Sequence, residues 1–353
     1  MRKTKLALGI LSLIVAQSFV IGAVESAEED AAGTVADSAA PEAPYVVPKT
    51  SWGEPDLQGM WPLNHLIGVP MQRNVELYGE RFEMTEEEYA KAQENIAARD
   101  ERFQSGEIPV ADAAGRAMRQ TSLIFDPPNG RIPPLTPYGE ELRQQMRSSY
   151  DPNQTVFDKI EDFSAWDRCI TRGMPVSMFQ RNYNNGLRIF QSPGYVVIAL
   201  EMAHEARIIP TNGLPPLPAT IKQWLGESRG RWEGDTLVVE TTNFGHGIHT
   251  GLTSGGVPGA GAPMPTSDNM KITERFTRTA EDTIEYEMLI EDPDVLSTGS
   301  MTIKYPMYLD NDYKMYEYSC HEGNTAVRYY IETSRFERGV GPSAAERAAA
   351  NAQ

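Results

Sequence analysis

From Gly186 onward, apolar and polar residues alternate with a period of two, and this alternation limits the possible folds more than any other feature. The stretch LRIFQSPGYVVIALEMAHEARIIPTNG predicts two strands broken at Ser192-Pro193-Gly194, the second of them long. RGRWEGDTLVVETTNF predicts a hairpin turning at Glu233-Gly234-Asp235, and MKITERFTRTAEDTIEYEMLIED predicts another turning at Ala280-Glu281-Asp282. Further strands are predicted in MTIKYPMYL, YKMYEYSC and AVRYYIETSRF. Such a series of antiparallel strands indicates a mainly β protein that closes as a barrel or wraps as a sandwich.

The part of the chain before these strands is Pro-rich and partly helical. Thr85 followed by Glu88 forms a capping box, which predicts a surface helix reaching about Phe103. Thr136 as cap and Pro137 at the first helical position predict a second helix. We therefore expect an antiparallel lipocalin-like barrel with this N-terminal third packed at one end.

The N-terminus has the pattern of a secretory signal. Basic residues at positions 2, 3 and 5 precede an apolar run from Leu6 to Ile21, so residues 1–26 are predicted to be a signal peptide. No later stretch approaches the length of apolar sequence that a membrane helix requires. The expected location is the periplasm or the outside of the cell.

The remaining chain divides by composition into a linker, a domain and a tail. Residues 27–48 are rich in Ala, Glu, Asp and Pro with little to bury, which predicts a disordered linker. Residues 49–340 are predicted to form a single β-barrel domain with its own core, and 341–353 a disordered tail.

The charge balance excludes some partners. The formal net charge is -17 and no basic cluster is present, which argues against nucleic acid or an anionic membrane as a partner. The partner expected is a small-molecule substrate, and a homo-oligomer is left open.

The stretch YSCHEGN, residues 318–324, contains a cysteine, an imidazole and a carboxylate side by side. The chain has only two cysteines, Cys169 and Cys320, and in an exported protein they are expected to form one disulfide. His321 and Glu322 would then lie at a strand end beside a barrel mouth. Two interpretations are left open, a catalytic role for these side chains and a purely structural staple.

Alternation also assigns side chains to faces. In the long strand after Gly194, His204 falls on the apolar face, and in MKITERF the carboxylate of Glu274 falls on an apolar stripe. A buried His204 beside a buried Glu274 would be suited to general acid/base catalysis, because burial and mutual charge shift both pKa values toward neutrality. The alternative is that core hydroxyls or an arginine satisfy each group separately.

A Gly-rich loop carries two further histidines, His246 and His249. With His321 or Glu322 they could hold a divalent metal such as zinc, or the loop could act as a substrate lid. No other cofactor is expected, because the chain has no P-loop, no G-x-G-x-x-G motif after a strand and no G-x-S-x-G elbow.

Candidate ligand-contacting residues complete the prediction. The substrate-binding candidates are Asn243, His246, His249, Glu317 and Asn324. The aromatic side chains are expected to lie mostly in the core or at the rim, and some of them could line a pocket for an aromatic ligand; the tryptophans are Trp52, Trp61, Trp166, Trp224 and Trp232.

Five motifs together resemble a large family of exported bacterial proteins: PDLQGMW, RCITRGMP, GRWEGDTLVVETTNF, ITERFTR with EYEMLIEDP, and YEYSCHEGN. The family is also similar to a glutathione-independent β-etherase of lignin-degrading bacteria, which cleaves arylglycerol-β-aryl ethers. The resemblance implies acid/base cleavage of an aryl ether with water and without a redox cofactor. The positions that match the family motifs, and so carry the implied catalytic role, are His204, Glu274, His321 and Glu322. His246 and His249 fall where many members are expected to have other residues.

Two functions are therefore predicted. The first is an exported enzyme that uses His and Glu for acid/base chemistry on a small aromatic substrate. The second is a lipocalin-like carrier for an apolar ligand, in which the same polar groups orient the ligand. Several ionisable groups directed at one cavity would favour the enzyme.

Overall fold

The structure is a computed structural model that describes residues 45–107, 117–245, 247–253, 260–261 and 263–341. Outside the described residues lie the predicted signal peptide at 1–26, linker positions 27–44, position 246 and tail positions 342–353. Within the described ranges, no helix combines the length and the apolar character needed to cross a membrane.

The helices lie before and after the β-rich region. Their bounds are α1 (Val75–Tyr78), α2 (Glu86–Gln104), α3 (Pro137–Gln145) and α4 (Ala326–Glu337). The capping box at α2 is confirmed, since the Thr85 hydroxyl accepts the Glu88 N–H and the Glu88 carboxylate accepts the Thr85 N–H. Thr136 caps α3 and Pro137 opens it, as predicted.

The strands form two antiparallel sheets. The strand bounds are β1 (Gly59–Met60), β2 (Ile124–Asp126), β3 (Leu187–Ser192), β4 (Tyr195–Leu200), β5 (Ala206–Pro210), β6 (Glu227–Glu233), β7 (Thr236–Thr242), β8 (Lys271–Ala280), β9 (Thr283–Glu291) and β10 (Ser300–Tyr308). The smaller sheet has the order β1-β3-β4-β5, and the larger has the order β2-β10-β9-β8-β7-β6. The predicted hairpins β6–β7 and β8–β9 are confirmed, and so is the break between β3 and β4.

Both sheets contribute to one hydrophobic core. Buried side chains of β3, β4 and β5 belong to the same cluster as those of β7 to β10. At the edges, β6 approaches β5 closely: a Cβ on Gly230 would lie 2.9 Å from Cγ2 of Ile209, so a larger residue there would require its neighbours to shift. The prediction of a mainly β protein is confirmed. The described strands form two sheets and no closed barrel, which is nearer to the predicted sandwich, and the lipocalin-like barrel is unconfirmed.

The long strand predicted after Gly194 is wrong, because the chain reverses between β4 and β5. The reversal contains the 3-10 turn Met202–His204, in which Ala203 and His204 have left-handed backbones with φ of 63° and 53°. Residues other than glycine adopt this conformation rarely, and the turn contains no Gly, Pro or Asn to signal it. The reversal ends the predicted alternation, so that Arg207 faces the core and His204 is exposed.

The last two predicted strands are also wrong. The stretch YKMYEYSC has no strand structure, and its main-chain N–H groups at Tyr316 and Tyr318 donate to the side chains of Glu201 and His204 instead of a strand ladder. AVRYYIETSRF forms α4, in which Arg328 pairs with a glutamate one turn later. Its aromatic and β-branched residues favour a strand only weakly, and tertiary packing overrides that preference.

Candidate functional site

A cleft of about 420 Å³ lies beside the C-terminal segment and brings together several predicted site residues. Glu317, Glu322 and Asn324 line it, together with both cysteines. The opposite wall comes from the irregular segments around Tyr150 and Trp166 and from Tyr183. We call this feature the aromatic cleft; the residues that define it are Tyr150, Trp166, Tyr183, Glu317, Tyr318, Glu322 and Asn324.

Aromatic rings pack around Tyr318 in the cleft. The ring centroid of Tyr318 lies 5.8 Å from that of Trp166 and 6.4 Å from that of Tyr183, with which it is stacked. Burial raises the pKa of Tyr318, and a hydrogen bond with Tyr183 adds to the rise. Tyr318 is therefore a neutral hydrogen-bonding group at neutral pH, set among flat apolar surfaces suited to an aromatic ring.

A disulfide holds one wall of the cleft to the other. Cys169 and Cys320 are bonded, as predicted, with 5.5 Å between their Cα atoms. The amide of Asn324 donates to the main-chain oxygen of Asp167, 3.1 Å away, and reinforces the same junction. The staple interpretation of YSCHEGN is therefore confirmed for its cysteine, while its neighbours line the cleft.

The two acidic residues and the histidine near the staple are exposed. Glu317, His321 and Glu322 are all exposed to solvent, and Glu317 and Glu322 line the cleft. The His321 carbonyl accepts the Asn324 N–H at 3.3 Å, which closes the turn that leads into α4. Catalytic roles for His321 and Glu322 stay predictions.

His204 does not lie in the interior. It is exposed at the reversal between β4 and β5, and its Nε2 accepts the main-chain N–H of Tyr318 at 2.7 Å. In the neutral ring the proton is therefore on Nδ1. His204 thus supports the segment that forms the cleft.

Glu274 is fully buried, as predicted, but its partner is an arginine. Both its oxygens accept from the guanidinium of Arg207, the Nη1 contact measuring 2.8 Å, and Oε1 also accepts the Tyr286 hydroxyl at 2.7 Å. Burial alone would lower the pKa of Arg207, but the Glu274 carboxylate raises it. The predicted His204–Glu274 pair is wrong, and the alternative of an arginine partner is correct for Glu274.

The remaining predicted residues lie elsewhere. The Asn243 amide donates to the main-chain oxygens of Leu217 and Pro218, so it holds a loop. His249 lines a separate cavity of about 320 Å³. Asp167 stands between this cavity and the aromatic cleft, because its carboxylate accepts hydrogen bonds from serines on both sides, namely Ser148, Ser149 and Ser164.

The metal site was predicted on the Gly-rich loop that contains His249. Residue 246 lies outside the described residues, so its proposed partnership with His249 stays a prediction. In the part of the chain that the structure does describe, no group of three His, Cys, Asp or Glu side chains is arranged to hold a metal ion.

Sequence reasoning missed a second, smaller cavity of about 20 Å³ that contains two buried arginines. Arg172 and Arg181 are 6% and 4% exposed, and Glu205 is the carboxylate that lines the cavity with them. We call this cavity the arginine pocket. Both arginines flank the apolar run MPVSMF. A positive charge at each end of a buried segment is the sequence pattern that could have indicated this pocket.

The charged residues of the arginine pocket differ in their contacts and in their pKa values. Arg172 lies over the Trp166 ring, 3.9 Å from its centroid, and burial lowers the pKa of Arg172 to about 10. Burial, with the like charge of Arg172 added, lowers the pKa of Arg181 well below its ordinary value. Burial raises the pKa of Glu205, although the hydroxyls of Thr171 and Ser177 donate to its oxygens.

Comparison with known proteins finds no relative of this chain. No protein-family model, no curated protein and no solved structure matches the chain.

Proposed function

We propose that the protein is an exported, cofactor-independent enzyme that binds a small aromatic substrate in the aromatic cleft. The observation that carries the proposal is the meeting of four aromatic rings with three carboxylates and an amide in one cleft of about 420 Å³. This volume falls in the range of small-molecule sites, and such sites combine an apolar lining with a few polar groups.

The reaction best supported is cleavage of an aryl ether of the arylglycerol-β-aryl type. In this reaction the ether C–O bond breaks, the departing phenol oxygen takes a proton, and water supplies the hydroxyl group to the other fragment. Glu322 is the candidate acid, and Glu317 the candidate group that orients the water. Their place among the cleft residues supports these roles.

The other predicted groups take supporting roles in this proposal. His321 directly precedes Glu322 in the chain, and His204 holds the main chain of Tyr318. Glu274 has no part in the chemistry, because Arg207 and Tyr286 occupy its oxygens within the core.

Export is supported by the disulfide between Cys169 and Cys320, since such bonds persist mainly in oxidising compartments. It also rests on the signal pattern of the N-terminus.

The alternative function is a lipocalin-like carrier that binds an apolar ligand and leaves it unchanged. The observation that favours it is the exposure of Glu317 and Glu322, because neither carboxylate is held in the dry surroundings that acid catalysis often uses.

A substrate panel separates the two functions. Aryl ethers, phenolic esters and lactones are incubated with the protein, with and without a chelator, and released phenol is measured. The enzyme proposal expects phenol from an aryl ether, loss of turnover in Glu322→Gln with the ligand dissociation constant retained, and full activity in the exposed control Glu337→Gln. Binding of the whole panel without any product would overturn the enzyme proposal in favour of the carrier.

A further inference from the structure

The guanidinium of Arg181 lacks partners inside the protein. Its Nη1 donates to the Gln180 main-chain oxygen at 2.9 Å, but Nε and Nη2 are buried and have no hydrogen-bond partner in the described structure. A buried N–H without an acceptor is destabilising, and more so when it belongs to a charged group.

The charge of the arginine pocket is also unbalanced. Arg172 and Arg181 bring two positive charges, and among the described residues of the lining Glu205 is the one carboxylate. Glu201 is buried nearby, but its oxygens accept four hydrogen bonds from other donors, none of them an arginine. Among the described lining residues, positive charges therefore outnumber negative ones even when Glu205 is ionised.

We infer that Arg172 and Arg181 form a buried binding site for a small anion, which supplies the missing acceptors of Arg181 and the missing negative charge. The inference goes beyond the proposed function, because an anion can bind here whether or not the aromatic cleft carries out a reaction. Guanidinium groups suit this role, since their forked donors bind carboxylate and similar anions.

The size of the pocket limits what can enter. A space of about 20 Å³ admits one water-sized atom, so the anion enters as a single halide ion or as one oxygen of a larger group. A water molecule could satisfy an N–H but would leave the charge uncompensated.

The pocket lies next to the aromatic cleft. Arg172 stacks on Trp166, which lines the cleft, and the hydroxyls of Tyr150, Tyr183 and Tyr318 interact electrostatically with Arg172. An aromatic carboxylate could therefore place its ring in the cleft and one oxygen toward the arginines. A free inorganic anion is the other source of the same chemistry.

The test is calorimetric titration of the full chain with sodium bromide and, separately, sodium benzoate, in a buffer whose only other anion is gluconate. Crystals soaked in bromide locate the ion by its anomalous scattering. We expect saturable binding of bromide, benzoate or both, and a bromide peak within hydrogen-bonding distance of Arg181. Benzoate that binds more tightly than bromide and displaces it identifies an aromatic carboxylate as the ligand, whereas binding of bromide alone identifies a free ion.

Three variants test the assignment to these residues. Arg181→Met should weaken binding at least tenfold, and Glu205→Gln should tighten it several-fold because it removes the competing negative charge. Arg188→Met removes an exposed arginine from β3 and should leave binding unchanged. Equal affinity in Arg181→Met and the wild type, or no saturable binding of either anion by the wild type, would overturn the inference.

Discussion

Arg207 and Arg181 are both buried arginines, at 3% and 4% exposure, but they differ in what surrounds them. Arg207 meets a carboxylate with two hydrogen bonds, and Tyr286 completes the coordination of that carboxylate. Arg181 has a single main-chain acceptor and a second arginine beside it. Burial of a charge therefore does not by itself indicate a structural role: the paired arginine belongs to the core, and the unpaired guanidinium of Arg181 indicates a missing ligand.

The largest expected change in the free energy of unfolding is at the Arg207–Glu274 pair. Arg207→Met leaves the Glu274 carboxylate buried without its cation, and breaking such a pair costs about 3–5 kcal/mol. Urea denaturation measures this loss as a lower free energy of unfolding. The double variant Arg207→Met/Glu274→Met should recover most of the stability, and a loss from the single variant below about 1 kcal/mol would mean that the pair does not hold the core.

Removal of the disulfide tests whether this covalent bond stabilises the region around Arg181. Cys169 lies three residues before Arg172, and Cys320 lies two residues after Tyr318. Cys169→Ala/Cys320→Ala should lose about 2–5 kcal/mol, and this loss should appear equally when the wild type is reduced. A reductant that further destabilises the double variant would show that its effect does not come from this bond.

A smaller effect of opposite sign is expected at the unpaired site. In buffer without a binding anion, Arg181→Met removes an uncompensated buried charge and keeps an apolar side chain, so unfolding should cost about 1–2 kcal/mol more than in the wild type. Thermal and urea denaturation both measure this gain. A loss as large as that of Arg207→Met would identify Arg181 as a structural residue.

The smallest expected effect is a dependence of stability on pH that arises from Glu205. Because its native pKa is raised, the unfolded chain releases this proton at a lower pH than the native protein does, so stability falls as pH rises from the ordinary glutamate pKa to the raised one. Glu205→Gln cannot ionise; its amide oxygen accepts from one of the Thr171 and Ser177 hydroxyls and its NH2 group donates to the other, so the fall should be absent from its denaturation profile. Parallel pH profiles for both proteins would contradict the raised pKa.

Local signals explain which parts of the fold could be predicted from the sequence. The Gly234 turn, the capping box at Thr85 and the bond between the only two cysteines all depend on short-range chemistry or on composition. Glu274 could be placed in the core because β8 keeps strict alternation over its length.

The remaining features depend on tertiary contacts. Nothing in the sequence marks the left-handed backbones of Ala203 and His204, and this reversal changed which side chain reaches Glu274. Arg172 and Arg181 lie in a segment without repeating structure, where no periodicity tells buried positions from exposed ones. The cleft could be predicted only in part, through Trp166 and the residues around Cys320, because its other wall comes from distant segments.

The most direct test of the contrast between the two arginines is the dependence of stability on the anion. The free energy of unfolding is measured for the wild type, Arg181→Met and Arg188→Met in gluconate buffer and again with bromide or benzoate at the same ionic strength. At an anion concentration of about one hundred times the wild-type dissociation constant, binding to the native state should stabilise the wild type and Arg188→Met by about 2.7 kcal/mol and Arg181→Met by no more than about 1.4 kcal/mol. Equal stabilisation of all three proteins, or of none, would contradict the account.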